Sequence, residues 1–228
     1  AVRGRVEARF TWAADGEDLV LDFRAPAEQV GVVTVDGDTV TPRLVPDHVV
    51  IPARHLAAGP HAVALTFTSS DAALNRGDDW LYALFVPDRA STAFPVLEQP
   101  DLKARFAVSL GIPAAWETVS NGALVARDSS GGARHVVRFA ETQPISTYLL
   151  TFAAGRLQRL SAERGGRTFT LFHRETDAAR VRRNADAIFD LHARALAWLE
   201  DYTGIAYPFG KFDFFAVPAF QFGGMEHP

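Results

Sequence analysis

The hydrophobic period of this chain changes once, near residue 175, and that change limits its possible folds more than any other feature. Up to Phe172, apolar residues come in runs of strand length. The run His61-Ala62-Val63-Ala64-Leu65-Thr66-Phe67-Thr68 alternates with a period of two, which places every second side chain on one sheet face. Similar runs occupy Val6–Trp12, Leu19–Phe23, Val30–Val35, Thr39–Val45, His48–Ile51, Ala104–Leu110, His135–Phe139, Thr147–Ala153 and Arg167–Phe172. Asp36-Gly37 sits between two of them and supplies the positive φ angles of a tight hairpin turn. Asp128-Ser129-Ser130-Gly131-Gly132 and Arg164-Gly165-Gly166 are further turn clusters. After Asp177 the spacing becomes helical, with Val181, Ala185, Ile188, His192, Ala195, Leu196 and Leu199 on one face. Asp177 is the expected N-cap and Gly204 the expected stop. Phe212–Val217 then reads as a buried strand.

Many short strands followed by a helix and a strand predict a mainly β chain. The first part is an antiparallel β-sandwich or open barrel, and the second is the start of an α/β unit. The expected division lies between residues 1–174 and 175–228.

Composition removes several function classes. A net charge of −4 with no basic stripe leaves nothing to neutralise a phosphate backbone, so no nucleic-acid partner is expected. No apolar run approaches the ~20 residues of a membrane-spanning helix. The absence of cysteine excludes disulfides, thiolate metal sites and a cysteine nucleophile. No signal segment is visible at the start, which leaves two compartments open: cytoplasmic, or secreted or periplasmic after signal removal.

Three motifs carry chemical information. Gly223-Gly224-Met225-Glu226-His227-Pro228 puts a carboxylate directly after glycines that let backbone approach a ligand closely. Upstream lie Tyr207-Pro208-Phe209-Gly210-Lys211 and the block Phe94-Pro95-Val96-Leu97-Glu98-Gln99-Pro100-Asp101-Leu102-Lys103-Ala104-Arg105-Phe106. Together they resemble the M1 family of zinc aminopeptidases, whose exopeptidase signature is Gly-x-Met-Glu-Asn. The resemblance extends from about Asp18 to the end of the chain, with His227 where the family usually has asparagine.

The resemblance implies a saddle-shaped β domain followed by the opening of a thermolysin-like metallopeptidase domain. It implies removal of amino-terminal residues from peptides by zinc-activated water. Glu226 would hold the substrate's free α-ammonium through a charge-assisted hydrogen bond, and Gly223, Gly224 and Met225 would line the first substrate pockets. The zinc ligands would come from a helical His-Glu-x-x-His. His48, His55, His61, His135, His173, His192 and His227 do not have that spacing, so no catalytic residue and no metal ligand is expected in this segment. Zinc would be held by a portion beyond Pro228, which would be a partner of this segment, joined to it or as a separate chain.

Each motif also has a plainer reading. The glycine-rich end is then a surface turn with a solvated glutamate. Trp80, Tyr82 and Phe85 either wall a peptide cleft or fill a core. Glu98 and Asp101 fix a loop through backbone and arginine contacts, Lys211 and Asp213 form a salt link, and His192 is a core histidine. Many M1 enzymes carry a second amine contact, a Glu or Gln, where this chain has Val86, and valine cannot bind an ammonium. Asp88 and Gln99 are near it in sequence. That departure keeps a second reading open, a non-catalytic M1-like scaffold or interaction module. A carbohydrate-binding β-sandwich is a third, which leaves the Tyr-Pro-x-x-Lys and Met-Glu motifs without a role.

Overall fold

Period-two alternation becomes two facing sheets in the first part of the chain. The computed structural model describes residues 2–13, 16–217, 220, 224, 225, 227 and 228. It divides into two compact units, residues 1–76, 82–106 and 143–151, and residues 77–81, 107–142 and 152–228.

The first unit begins with β1 (Val2–Trp12), β2 (Leu19–Asp22), β3 (Val30–Val35), β4 (Asp38–Val40), β5 (Arg43–Val45), β6 (His48–Ile51) and β7 (Gly59–Ser69). Short strands β8 (Leu74–Arg76) and β9 (Trp80–Ala83) come next in the chain, with Trp80 and Leu81 of β9 counted in the second unit. One antiparallel sheet has the order β1-β7-β3-β4 and the other β2-β6-β5. Their inward residues form one cluster. Val33, Val35, Val63 and Leu65 come from the first sheet, and Leu19, Leu21, Val49 and Ile51 from the second. This is a β-sandwich, and each fully buried side chain of this size contributes about 1.5–3 kcal/mol. Tyr82 and Phe85 are also buried, with Phe85 edge-on to Phe94 at 5.5 Å between ring centroids. For these two aromatics the core reading is the correct one.

The Asp36-Gly37 hairpin turn forms as its sequence dictates, with φ of 52° and 95°. The Thr39–Val45 run, read as one strand, divides instead. β4 pairs with β3, whereas β5 pairs with β6 in the other sheet. Pro42, between them, lacks the N–H a continuous ladder needs. Thr147–Ala153 also differs from its strand reading, because Thr147–Leu149 is a 3₁₀ turn.

The second unit contains β10 (Ser109–Pro113), β11 (Glu117–Ser120), β12 (Leu124–Asp128), β13 (Arg134–Phe139) and β14 (Phe152–Gly155). β10-β13-β12 is an antiparallel sheet, and β11 pairs with β14. Ile112, Val137, Phe139 and Ala154 are its buried cluster. β15 (Gln158–Arg164) then turns through Gly165-Gly166 into β16 (Arg167–His173). Helix α1 (Ala178–Thr203) follows, and β17 (Phe212–Phe215) returns parallel to β16. β16, α1 and β17 are therefore one βαβ unit.

Helix α1 starts where Asp177 Oδ1 accepts from the backbone N–H groups of Ala179 and Arg180, at 2.9 and 3.0 Å. It ends at Gly204, whose N–H donates to the Glu200 carbonyl. Its inner face buries Ala185, Phe189 and Leu196 against Phe169, Leu171, Phe212 and Phe214. His192 lies on this face, edge-on to Phe214 at 4.3 Å, with Nδ1 2.7 Å from the Ile188 carbonyl, as a core histidine would. Phe189, absent from the expected stripe, is the most buried residue of the helix at 1% exposure. Leu191, Ala195, Trp198 and Tyr202 form a second, exposed apolar stripe at i, i+4, i+7 and i+11, and Trp198 stacks on Tyr202 at 5.0 Å. Among the described residues no helix is long and apolar enough to cross a membrane.

Candidate functional site

The glycine-rich segment follows β17, so its placement begins with what holds that strand. The parallel pairing of β17 to β16 continues one residue further, where Ala216 N–H donates to the Phe172 carbonyl at 2.9 Å. Before β17, the Tyr207–Lys211 segment is held by the helix. Glu200 accepts both Arg167 guanidinium nitrogens, at 2.6 and 2.9 Å, and with Oε1 also accepts the Tyr207 N–H at 2.6 Å. The Tyr207 N–H first, and then Arg167, hold the Glu200 carboxyl below the usual carboxylate range. The Tyr207 hydroxyl donates to the Lys211 carbonyl at 3.0 Å, closing the segment on itself, and burial raises that phenol above its ordinary value.

Lys211, the residue before β17, reaches away from that strand. Its ammonium pairs with Asp213, the expected salt link, and donates to the Ser120 carbonyl at 2.7 Å. Ser120 ends β11 and is buried. Its neighbour Asn121 donates from Nδ2 to the Pro228 carbonyl at 2.9 Å. The β11–β12 turn thus holds both the Tyr-Pro-x-x-Lys segment and the end of the Gly-Gly-Met-Glu-His-Pro run. Gly122 completes the turn. A Cβ there would lie 1.9 Å from the Ala140 carbonyl oxygen, so no side chain fits.

Gly223 and Glu226 lie outside the described residues. Of the other expected substrate-lining residues, Gly224 is exposed and Met225 half-buried, as are His227 and Pro228. Glu98 does fix a loop through backbone contacts. Its carboxylate accepts from the N–H groups of Ala90 and Ser91, at 2.6 and 3.1 Å, and its own N–H donates to Asp22. Val86 is half-buried, and Asp88 is paired with Arg24 at 2.9 Å. A cavity of about 270 Å³ in the first unit is lined by Asp22, Arg24, Asp47, His48, Asp88, Glu98 and Gln99. Trp80 is half-exposed, with the Arg174 guanidinium 6.0 Å from its ring centroid. Among the described residues no group of three or more His, Cys, Asp or Glu side chains is placed to share a metal ion.

Sequence reasoning missed Ser120, Asn121, Arg167 and Glu200 as supports of this region. Asn121-Gly122 reads locally as an ordinary turn, and an Arg and a Glu 33 positions apart carry no mark of their pairing.

Residues 78–149, which include Glu98, Ser120 and Asn121, match the family model for the peptidase M1 N-terminal domain. The chain carries an M1 peptidase amino-terminal domain. The M1 resemblance read from the motifs therefore holds. The chain is similar to aminopeptidase N of Streptomyces lividans, with 30% identity over 99% of this chain and 27% of that protein. It is also similar to the puromycin-sensitive aminopeptidase of Caenorhabditis elegans, 30% identical over 60% of this chain and 14% of the relative. Aminopeptidase N of Acetobacter pasteurianus is 28% identical over 60% of this chain and 38% of that sequence. This M1 chain thus spans less than two fifths of each relative. The crystal structure of Legionella pneumophila aminopeptidase A in complex with aspartic acid superposes with a TM-score of 0.83, covering 97% of this chain and 27% of that one. At 16% identity, that likeness extends to the fold.

Proposed function

We propose that this chain is the front portion of a zinc aminopeptidase that removes amino-terminal residues from peptides. Residues 1–174 act as its β domain, and residues 175–228 open its catalytic domain. Glu226 binds the substrate's α-ammonium, while the backbone of Gly223 and Gly224, together with Met225, aligns the peptide. The zinc and its ligands belong to a portion beyond Pro228, and these residues supply no step at the metal. That portion also covers the apolar stripe of α1.

The observation that carries this reading is the match to aminopeptidase N over 99% of the chain. Its chemistry agrees with the residue types. A carboxylate at a fixed distance from the attacked carbonyl counts one residue inward by gripping the ammonium, which an N-blocked peptide lacks. Val86 favours the scaffold alternative, because valine offers the ammonium no second partner.

One experiment decides between them. In the full chain, Glu226→Ala is compared with wild type on leucine p-nitroanilide. Losing a charge-assisted contact of about 3 kcal/mol lowers kcat/KM by about a hundredfold. A wild-type full chain with no turnover favours the scaffold, and a Glu226→Ala variant as active as wild type removes the amine-anchor role.

A further inference from the structure

Among the described residues, the β11–β12 turn is tied to a distant part of the chain at Lys211 and at Pro228, on either side of Glu226 in sequence. Lys211, four residues before β17 ends, donates to the Ser120 carbonyl. Asn121 donates to the Pro228 carbonyl across 107 residues of sequence. On the near side, Ala216 is held by the Phe172 carbonyl. Among the described residues, a backbone bond at Ala216 thus precedes the glycine-rich run and a side-chain bond holds its last residue. Proline has no N–H, so its carbonyl is the backbone group by which Pro228 can be hydrogen-bonded, and an amide N–H₂ matches that acceptor.

The turn is itself rigidly set. Ser120 is buried on β11, Gly122 abuts the Ala140 carbonyl, and the Ala140 N–H donates to Ala123 at 2.8 Å. A glycine-rich run has many accessible backbone conformations, and a carboxylate that must find an ammonium benefits from having them reduced beforehand.

We infer that Asn121 is a positioning residue for amine recognition, acting by holding the end of the Gly223–Pro228 segment against the β11–β12 turn. The inference rests on the proposed role of Glu226. It assigns Asn121 no contact with substrate.

The test uses the full chain and two competitors of leucine p-nitroanilide with one shape: leucinamide, which competes as an alternative substrate, and 4-methylpentanamide, which lacks the α-amino group. Asn121→Ala removes the donor, and Asn121→Asp sets an acceptor against the Pro228 carbonyl at nearly unchanged size. The expected result is a rise of about tenfold in KM and in the inhibition constant of leucinamide, the effect of one lost hydrogen bond. The constant for 4-methylpentanamide stays unchanged. A merely structural asparagine would lower the active fraction, and so kcat, while leaving both inhibition constants alone, and that outcome overturns the inference. Failure of both variants to fold, read by circular dichroism, overturns it too. Glu226→Ala separates the two layers. If it abolishes the preference for leucinamide while the Asn121 variants keep it, the anchor stands and the positioning role falls. If Glu226→Ala keeps the preference, the anchor reading falls and this inference falls with it.

Discussion

Replacing Gly122 by alanine tests whether the β11–β12 turn is as closely packed as its geometry requires. The added Cβ would meet the Ala140 carbonyl oxygen at 1.9 Å, its carbon at 2.9 Å and the Ala140 nitrogen at 3.1 Å. Ordinary carbon–oxygen contact is about 3.3 Å, so the two backbones must separate by more than about 1 Å. Neither side is a flexible side chain. The separation also strains the hydrogen bond from Ala140 N–H to the Ala123 carbonyl, worth about 1 kcal/mol net. Overpacking of this kind costs about 1–3 kcal/mol, and the sum is about 2–4 kcal/mol. For a chain of this length, that lowers Tm by about 4–16 °C. Gly210→Ala is the control, because nothing lies within 4 Å of its Cβ position and its φ is not in the positive range. Thermal unfolding followed by circular dichroism reads both variants. Equal Tm values for Gly122→Ala and Gly210→Ala would refute the reasoning.

Two further outcomes follow from the packing and the charges. Phe189→Ala empties the centre of the α1–β16–β17 cluster, where Phe189 is 1% exposed, and should cost about 3–5 kcal/mol in urea unfolding; a cost under about 1 kcal/mol contradicts the burial. His61 bonds through both ring nitrogens, to the Ala57 carbonyl at 2.7 Å and to Asp36 at 2.6 Å. The Ala57 carbonyl first, and then Asp36, raise its pKa above 6.5, while the Ala62 N–H first, and then His61, lower that of Asp36 below 3.8. Because the histidine's pKa is raised on folding, its stabilisation is full below 6.5 and is lost as pH climbs through the raised value. The carboxylate's contribution is present above 3.8 and is lost as pH falls through the lowered value. The stability difference between wild type and His61→Gln should therefore narrow on going from pH 6 to pH 9, and a difference independent of pH refutes the charged pairing.

The supports of the candidate site illustrate why distant partners escape a reading of sequence. Tyr207-Pro208-Phe209-Gly210-Lys211 was legible as a motif, and Lys211–Asp213 as an ion pair, because those residues lie within a few positions of one another in sequence. The bond from Tyr207 to Glu200, and those from Lys211 to Ser120 and Asn121 to Pro228, join residues with no periodic relation. A polar side chain on a turn looks the same whether it faces water or holds a segment a hundred positions away.

Local rules alone determined the mainly β front, the Asp36-Gly37 hairpin and the span of α1 between Asp177 and Gly204. Each follows from φ preferences, caps or a side-chain period acting over a few residues. Tertiary structure decided that Thr39–Val45 serves two sheets, that β17 returns parallel to β16, and that Phe189 is the most buried residue of its helix. Those outcomes depend on which surfaces meet, and burial and hydrogen bonding between distant segments are set by the whole packed chain, not by the order of residues within any one run.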